Sequence, residues 1–116
     1  VLVDPVEDNP VGRTRLPIKL FESWVSQTPF VTADVGDRRR VLGEPPAGLL
    51  ALPGDPAALA VEIERVLGSR ELAASLAARG QQRAQEYTWE KLALRMEALY
   101  QRLLGSSSPA PERSNP

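Results

Sequence analysis

Three short apolar runs, each closed by a turn former and followed by a helical pattern, constrain this chain more than any other feature. "VLV" (Val1–Val3) stops at Asp4-Pro5, "PFVTA" (Pro29–Ala33) stops at Asp34, and "LLAL" (Leu49–Leu52) stops at Pro53-Gly54. Runs of this length, apolar or β-branched throughout, suit strands covered on both faces. Alternation of strand and helix, closed by two further helices, predicts an α/β fold: a parallel sheet with right-handed crossovers and helical C-terminus. Only three strands are visible. A sheet that small leaves an edge unpaired, and the chain opens on Val1 inside a strand, so the expectation is a piece whose first strands lie upstream.

The helices are marked by their ends. Pro17 suits the first position of a helix on which Ile18, Leu20, Phe21, Trp24 and Val25 share a face. "DVGDRRRVLG" reads as a loop and a short helix ending near Gly43, and "EDNPVGRTR" as a loop. Asp55 caps a helix with Pro56 in its first turn, Gly68 at its end and Leu59, Ile63, Val66 and Leu67 as its stripe. Ser69 caps the next, along which Leu72, Leu76, Gly80, Ala84 and Tyr87 recur at helical spacing. Thr88 caps the last, with Trp89, Leu92, Met96, Leu99 and Leu103 on one face. The two expected segments are 1–104, one folded unit, and 105–116, a disordered Ser/Pro-rich tail.

Composition removes several chemistries. The 116 residues include no cysteine and no histidine, so thiol chemistry, imidazole bases and almost all zinc sites are excluded. A formal charge of −1 gives no basic field for nucleic acid. No run approaches the roughly 20 apolar residues of a membrane span. A cytoplasmic address fits these features, and no metal or cofactor is expected.

In open parallel sheets the ligand lies beyond the carboxyl ends of the strands. Here those ends lead into Asp4–Leu16, Asp34–Arg38 and Pro53–Asp55. The first loop is the longest and runs into the helix at Pro17, whose N-terminus offers N–H groups and partial positive charge to a phosphate. Arg13, Arg15 and Lys19 would add charge-assisted bonds. Glu22 lies roughly one and a half turns further on and could accept hydrogen bonds from a ribose diol. The plainer reading of these residues is a solvated helix face. Arg38, Arg39 and Arg40 are expected to serve solubility, and Trp24, Trp89 and Tyr87 to serve packing rather than stacking on a ligand.

The wording of the segments resembles the C-terminal domain of the group-1, family-4-type glycosyltransferases of the GT-B fold. "LPIKLFESWVSQTPFVTADVG" is similar to that family's P-x-K-x-x-E run and the G-x-P-V-V-A-T-x-V-G that follows it. "GLLALPGDPAALAVEIERVL" and "ARGQQRAQEYTWEKLALRMEALYQRLL" are similar to its two later motifs, in the same order. The resemblance implies a partial Rossmann-like sheet, the nucleotide-sugar donor half of a GT-B enzyme truncated at its N-terminus. By that resemblance Glu22 is the second acid of an E-x7-E element and holds the donor ribose. The first acid, a sugar ligand, falls on Thr14 and is absent. Pro17, Lys19 and Glu22 fit the subgroup lacking it, and Thr28 stands where the family has glycine. The implied donor-binding residues are thus Glu22, Lys19, Pro17, Arg15, Thr14 and Arg13, and no catalytic residue is assigned. The implied partners are a UDP-, GDP- or ADP-linked sugar and a missing N-terminal acceptor domain, through which any peripheral membrane association would run. The fragment alone would be inactive.

Two other readings stay open at this stage. "VLVDP" could be the magnesium-binding strand end of a receiver-type signalling domain, although Leu52 and Pro53 stand where its lysine belongs. The chain could also be a non-catalytic interaction module, which would bind no nucleotide.

Overall fold

The computed structural model describes residues 1–105. In chain order the elements are β1 (Leu2–Asp4), α1 (Pro10–Thr14), α2 (Ile18–Val25), β2 (Phe30–Ala33), α3 (Arg38–Leu42), β3 (Leu49–Ala51), α4 (Pro56–Gly68), α5 (Arg70–Ala84), a 3₁₀ turn at Gln85–Tyr87 and α6 (Trp89–Gly105). They form two compact units, one over Val1–Glu86 and one beginning at Tyr87. The expected tail lies outside the described residues apart from Gly105, which ends α6.

The sheet is the parallel one expected, ordered β1-β2-β3. Leu2, Val3 and Asp4 pair with Phe30, Val31 and Thr32, while Val31, Thr32 and Ala33 pair with Leu49, Leu50 and Ala51. All of β2 is buried, as a central strand covered on both faces must be. Val31, Val66 and Leu76 form the centre of a cluster joined by Leu49, Leu59, Ile63, Leu72 and Ala73, so α4 and α5 close over the sheet.

The caps hold where they were expected. The Asp55 carboxylate accepts from the Ala58 N–H at 2.9 Å, and the Ser69 hydroxyl from the Leu72 N–H at 3.1 Å. Four expectations need correction. "EDNPVGRTR" is not all loop: Asn9 accepts from the Gly12 N–H and Pro10 opens α1. Pro17 is the N-cap of α2 rather than its first residue, and it supplies no side-chain cap. The buried face of α2 is Leu20, Ser23 and Trp24, whereas Ile18 and Val25 are 75% and 72% exposed. At 3.6 residues per turn Ile18 and Val25 lie about 140–160° around the helix from Leu20, so they fall on the side away from the core. Leu67, expected in the α4 stripe, is likewise exposed.

Trp24 is a core residue, as expected. Its Nε1 donates to the Ala47 carbonyl at 2.9 Å and its ring meets Phe21 edge-on. It also packs on Gly80 of α5, where a Cβ would lie 2.4 Å from Trp24 Cδ1. Gly80→Ala is therefore expected to force the indole away, at a cost of about 1–3 kcal/mol, read as a lower midpoint in chemical denaturation.

Taken by itself, α6 buries none of its residues. Thr88 Oγ1 accepts from the Lys91 N–H at 3.4 Å, and Trp89, Met96, Leu99, Tyr100 and Leu103 are exposed. Trp89, expected to pack in the core or at an interface, is exposed and is not part of the core among the described residues.

Candidate functional site

Because the strands are parallel, their carboxyl ends gather on one edge of the sheet. A crevice of about 420 Å³ opens there, lined by Pro5–Glu7 after β1, Ala33 of β2, Ala51 and Leu52 at β3, and Gly54–Pro56 and Leu59 at the start of α4. Its walls are largely apolar. A neighbouring groove shares Pro5, Val6 and Glu7 and continues along Asn9, Val11, Gly12 and Arg15.

The charged part of this edge is built around Asp4, the last residue of β1, which is 1% exposed. Lys19 Nζ lies 2.9 Å from Asp4 Oδ1 and Arg15 Nη2 lies 3.4 Å from the same oxygen. Arg38 Nη2 lies 3.0 Å from Asp4 Oδ2. Arg38 itself is wholly buried. Its Nε donates to Thr32 Oγ1 at 3.1 Å, and its Nη1 to the carbonyls of Gly12, Arg15 and Val35 at 3.1–3.2 Å. Thr32 Oγ1 in turn donates to the Asp4 carbonyl at 2.9 Å. Every buried side-chain polar atom among the described residues has a partner, as buried polar groups require. Three cations meet one carboxylate, so the cluster carries two positive charges in excess. The surplus reaches solvent through Lys19 and Arg15, whose side chains are 40% and 55% exposed.

Arg38 overturns the solubility role expected of the Arg38-Arg39-Arg40 run. Only Arg39 and Arg40 are exposed, paired with Asp34 and Asp37. α3 is five residues long and turns one of the three inward, and the side chain facing the sheet end is that of Arg38. The turn before it demands glycine. Gly36 has φ +61°, and a Cβ there would lie 2.3 Å from the Arg13 carbonyl oxygen. That close approach sets α1 against the β2–α3 loop.

The remaining sequence-derived residues are spread around this cluster. Arg13 is held by Asp8 on the surface, and the Thr14 hydroxyl donates to the Pro10 and Val11 carbonyls of its own helix. Neither touches Asp4. Pro17 is buried at the start of α2. Glu22 is exposed, and its carboxylate has no partner among the described residues. Glu22 and Lys19 do not line the apolar crevice. Sequence reading took Asp4 as the start of a polar loop, or as the acidic strand end of a receiver-type domain, and missed its place at the centre of a cation cluster.

Burial opposes the charge on Asp4, but the hydrogen bonds from Lys19 and Arg38 and their positive charges outweigh it, so its pKa lies below the ordinary 3.8. A lowered carboxylate pKa stabilises the fold at every pH above the ordinary value. That contribution is lost as the pH falls through the lowered one. Acid unfolding monitored by circular dichroism is expected to set in below about pH 4. An Asp4→Asn variant, if it folds, should lose this part of the pH dependence. Three cations around Asp4 also make the opposite of a magnesium site, and the described residues contain no cluster of acids suited to a metal. The receiver-type reading finds no support here.

No family model matches the chain. It is 33% identical over 82 residues to a D-inositol 3-phosphate glycosyltransferase of Jonesia denitrificans, a match covering 71% of this chain and 19% of the relative. Among solved structures it superposes on sucrose-phosphate synthase from Thermosynechococcus elongatus with a TM-score of 0.68 and 32% identity, covering 79% of this chain and 23% of that one. The chain thus spans about a fifth of the length of the curated relative and under a quarter of the solved one. Among the described residues, no helix is long and apolar enough to cross a membrane. In sequence and in fold alike, the chain matches a partial Rossmann-like unit of the GT-B glycosyltransferases.

Proposed function

We propose that this unit binds the nucleoside diphosphate of a nucleotide-sugar donor. In the whole protein, the sugar passes from that diphosphate to an acceptor hydroxyl held by an N-terminal domain. The observation that carries this reading is the uncompensated positive charge of Lys19 and Arg15 on Asp4, at the carboxyl end of β1 and the start of α2. A diphosphate brought there meets two exposed cations, each able to give a charge-assisted bond to an oxygen. In transfer chemistry the diphosphate gains charge as it leaves, so the same cations would stabilise the transition state more than the bound donor. Glu22, one turn further along α2 and without a partner among the described residues, is placed to accept from the ribose hydroxyls. The base could be uracil, guanine or adenine. No group here is assigned to proton transfer, and neither metal nor cofactor is part of the proposal.

Titration calorimetry of the full-length protein with UDP, GDP and ADP tests it. At least one is expected to bind saturably, with affinity falling as salt screens the cations. Absence of binding by all three would sink the reading. It would favour a non-catalytic module instead, to which the exposed apolar face of α6 would then belong.

A further inference from the structure

The Asp4 cluster contains a sequence of contacts that runs from the core to the surface. Arg38 spends its donors on Thr32 and on three backbone carbonyls, so it cannot turn without breaking several bonds at once. It holds Asp4 Oδ2, which leaves Oδ1 facing Lys19 and Arg15. The Lys19 ammonium has three protons. One goes to Asp4 Oδ1 at 2.9 Å and one to the Val3 carbonyl at 3.1 Å. The third has no acceptor among the described residues, on a side chain that is 40% exposed.

We propose that Asp4, locked by Arg38, is a positioning residue for an anion site, holding the Lys19 ammonium with one N–H left for a phosphate oxygen. This rests on the donor-binding reading above. An exposed lysine normally loses its rotamer freedom when it grips a ligand. Here that freedom is already lost on folding, because two of the three protons are engaged before any ligand arrives. Asp4 takes part of the attraction that a phosphate would feel. The geometry it imposes on Lys19 outweighs that loss, since a second cation, Arg15, shares the same oxygen and keeps the site positive.

A double-mutant cycle on the full-length protein separates positioning from plain structure. The probe is whichever of UDP, GDP and ADP binds the wild type. Lys19→Met is expected to weaken it about tenfold, and Asp4→Asn by about threefold to tenfold. The double variant should bind no worse than Lys19→Met, because Asp4 acts through Lys19. If Asp4→Asn tightens binding or leaves it unchanged, or costs as much in the Lys19→Met background as in the wild type, the proposal falls.

A second measurement needs neither nucleotide nor a folded Asp4 variant. In lysine-labelled wild-type protein, the Lys19 Nζ–H signal should exchange slowly with water, as expected of an ammonium held by two acceptors. A signal exchanging as fast as that of free lysine would overturn the proposal. A slow Lys19 signal together with no nucleotide binding would instead support the positioning and overturn the donor reading, so the two failures are distinguishable.

Discussion

If the unit binds a nucleotide-sugar donor as proposed, Glu22→Gln in the full-length protein is expected to weaken donor binding or turnover by about tenfold to a hundredfold and to leave the fold intact. Hydrogen bonds to a charged group contribute about 1.5–3 kcal/mol, and a glutamine keeps the geometry while losing the charge. The fold has no stake in that charge, because the Glu22 carboxylate is exposed and has no partner among the described residues. The neighbours that α2 does bury, Leu20, Ser23 and Trp24, keep their packing, and glutamine matches glutamate in helix propensity. Lys19→Ala should act less strongly, since the helix N-terminus and Arg15 remain. Steady-state kinetics with varied donor, together with circular dichroism, checks both. Unchanged donor KM and kcat in Glu22→Gln would make Glu22 a solvated acid and nothing more.

Arg38→Met is expected to have the largest effect on stability of any change in the triple-arginine run. Methionine fills much of the volume but leaves the carbonyls of Gly12, Arg15 and Val35 short of a donor and takes a partner from a buried carboxylate. Removing one member of a buried ion pair costs roughly 3–5 kcal/mol. For a unit of this size each kcal/mol lowers the thermal midpoint by about 4–8 °C, so a fall well above 10 °C is expected, or failure to fold. Arg39→Met and Arg40→Met change exposed side chains paired with Asp34 and Asp37 and should stay within about 0.5 kcal/mol of wild type. Parallel thermal melts of the three variants decide the matter. Three similar melts would mean that the Arg38 network contributes no more than a surface pair.

Those three adjacent arginines show where reading a sequence stops. They are chemically identical and sit in one short helix, so local pattern cannot say which turns inward. The answer depends on Asp4, 34 residues away, and on Thr32 beneath it. The same limit hid the coupling of Lys19 and Arg15 to Asp4, although each cation had been singled out as part of an anion site. α1 is a different kind of miss. Its signal, Asn9 followed by Pro10, was present, but five residues give too little periodicity to stand out from a loop. In α2 the apolar pattern was read too broadly, because Ile18 and Val25, seven residues apart, are in phase with each other but not with Leu20 and Trp24, and lie on the exposed side.

What the sequence by itself determined is the set of features whose causes are local. The caps at Asp55 and Ser69, the strand runs, the parallel order implied by alternating strand and helix, and the motifs shared with glycosyltransferases all depend on residues within a few positions of one another. What only the tertiary structure decided is which charges meet. The buried Asp4–Arg38 pair, and the positive surplus it leaves at the partly exposed Lys19 and Arg15, arise because β1, β2, α2 and α3 bring distant polar groups together and take Asp4 and Arg38 out of solvent. There an unpaired charge would cost several kcal/mol, and pairing becomes obligatory rather than optional.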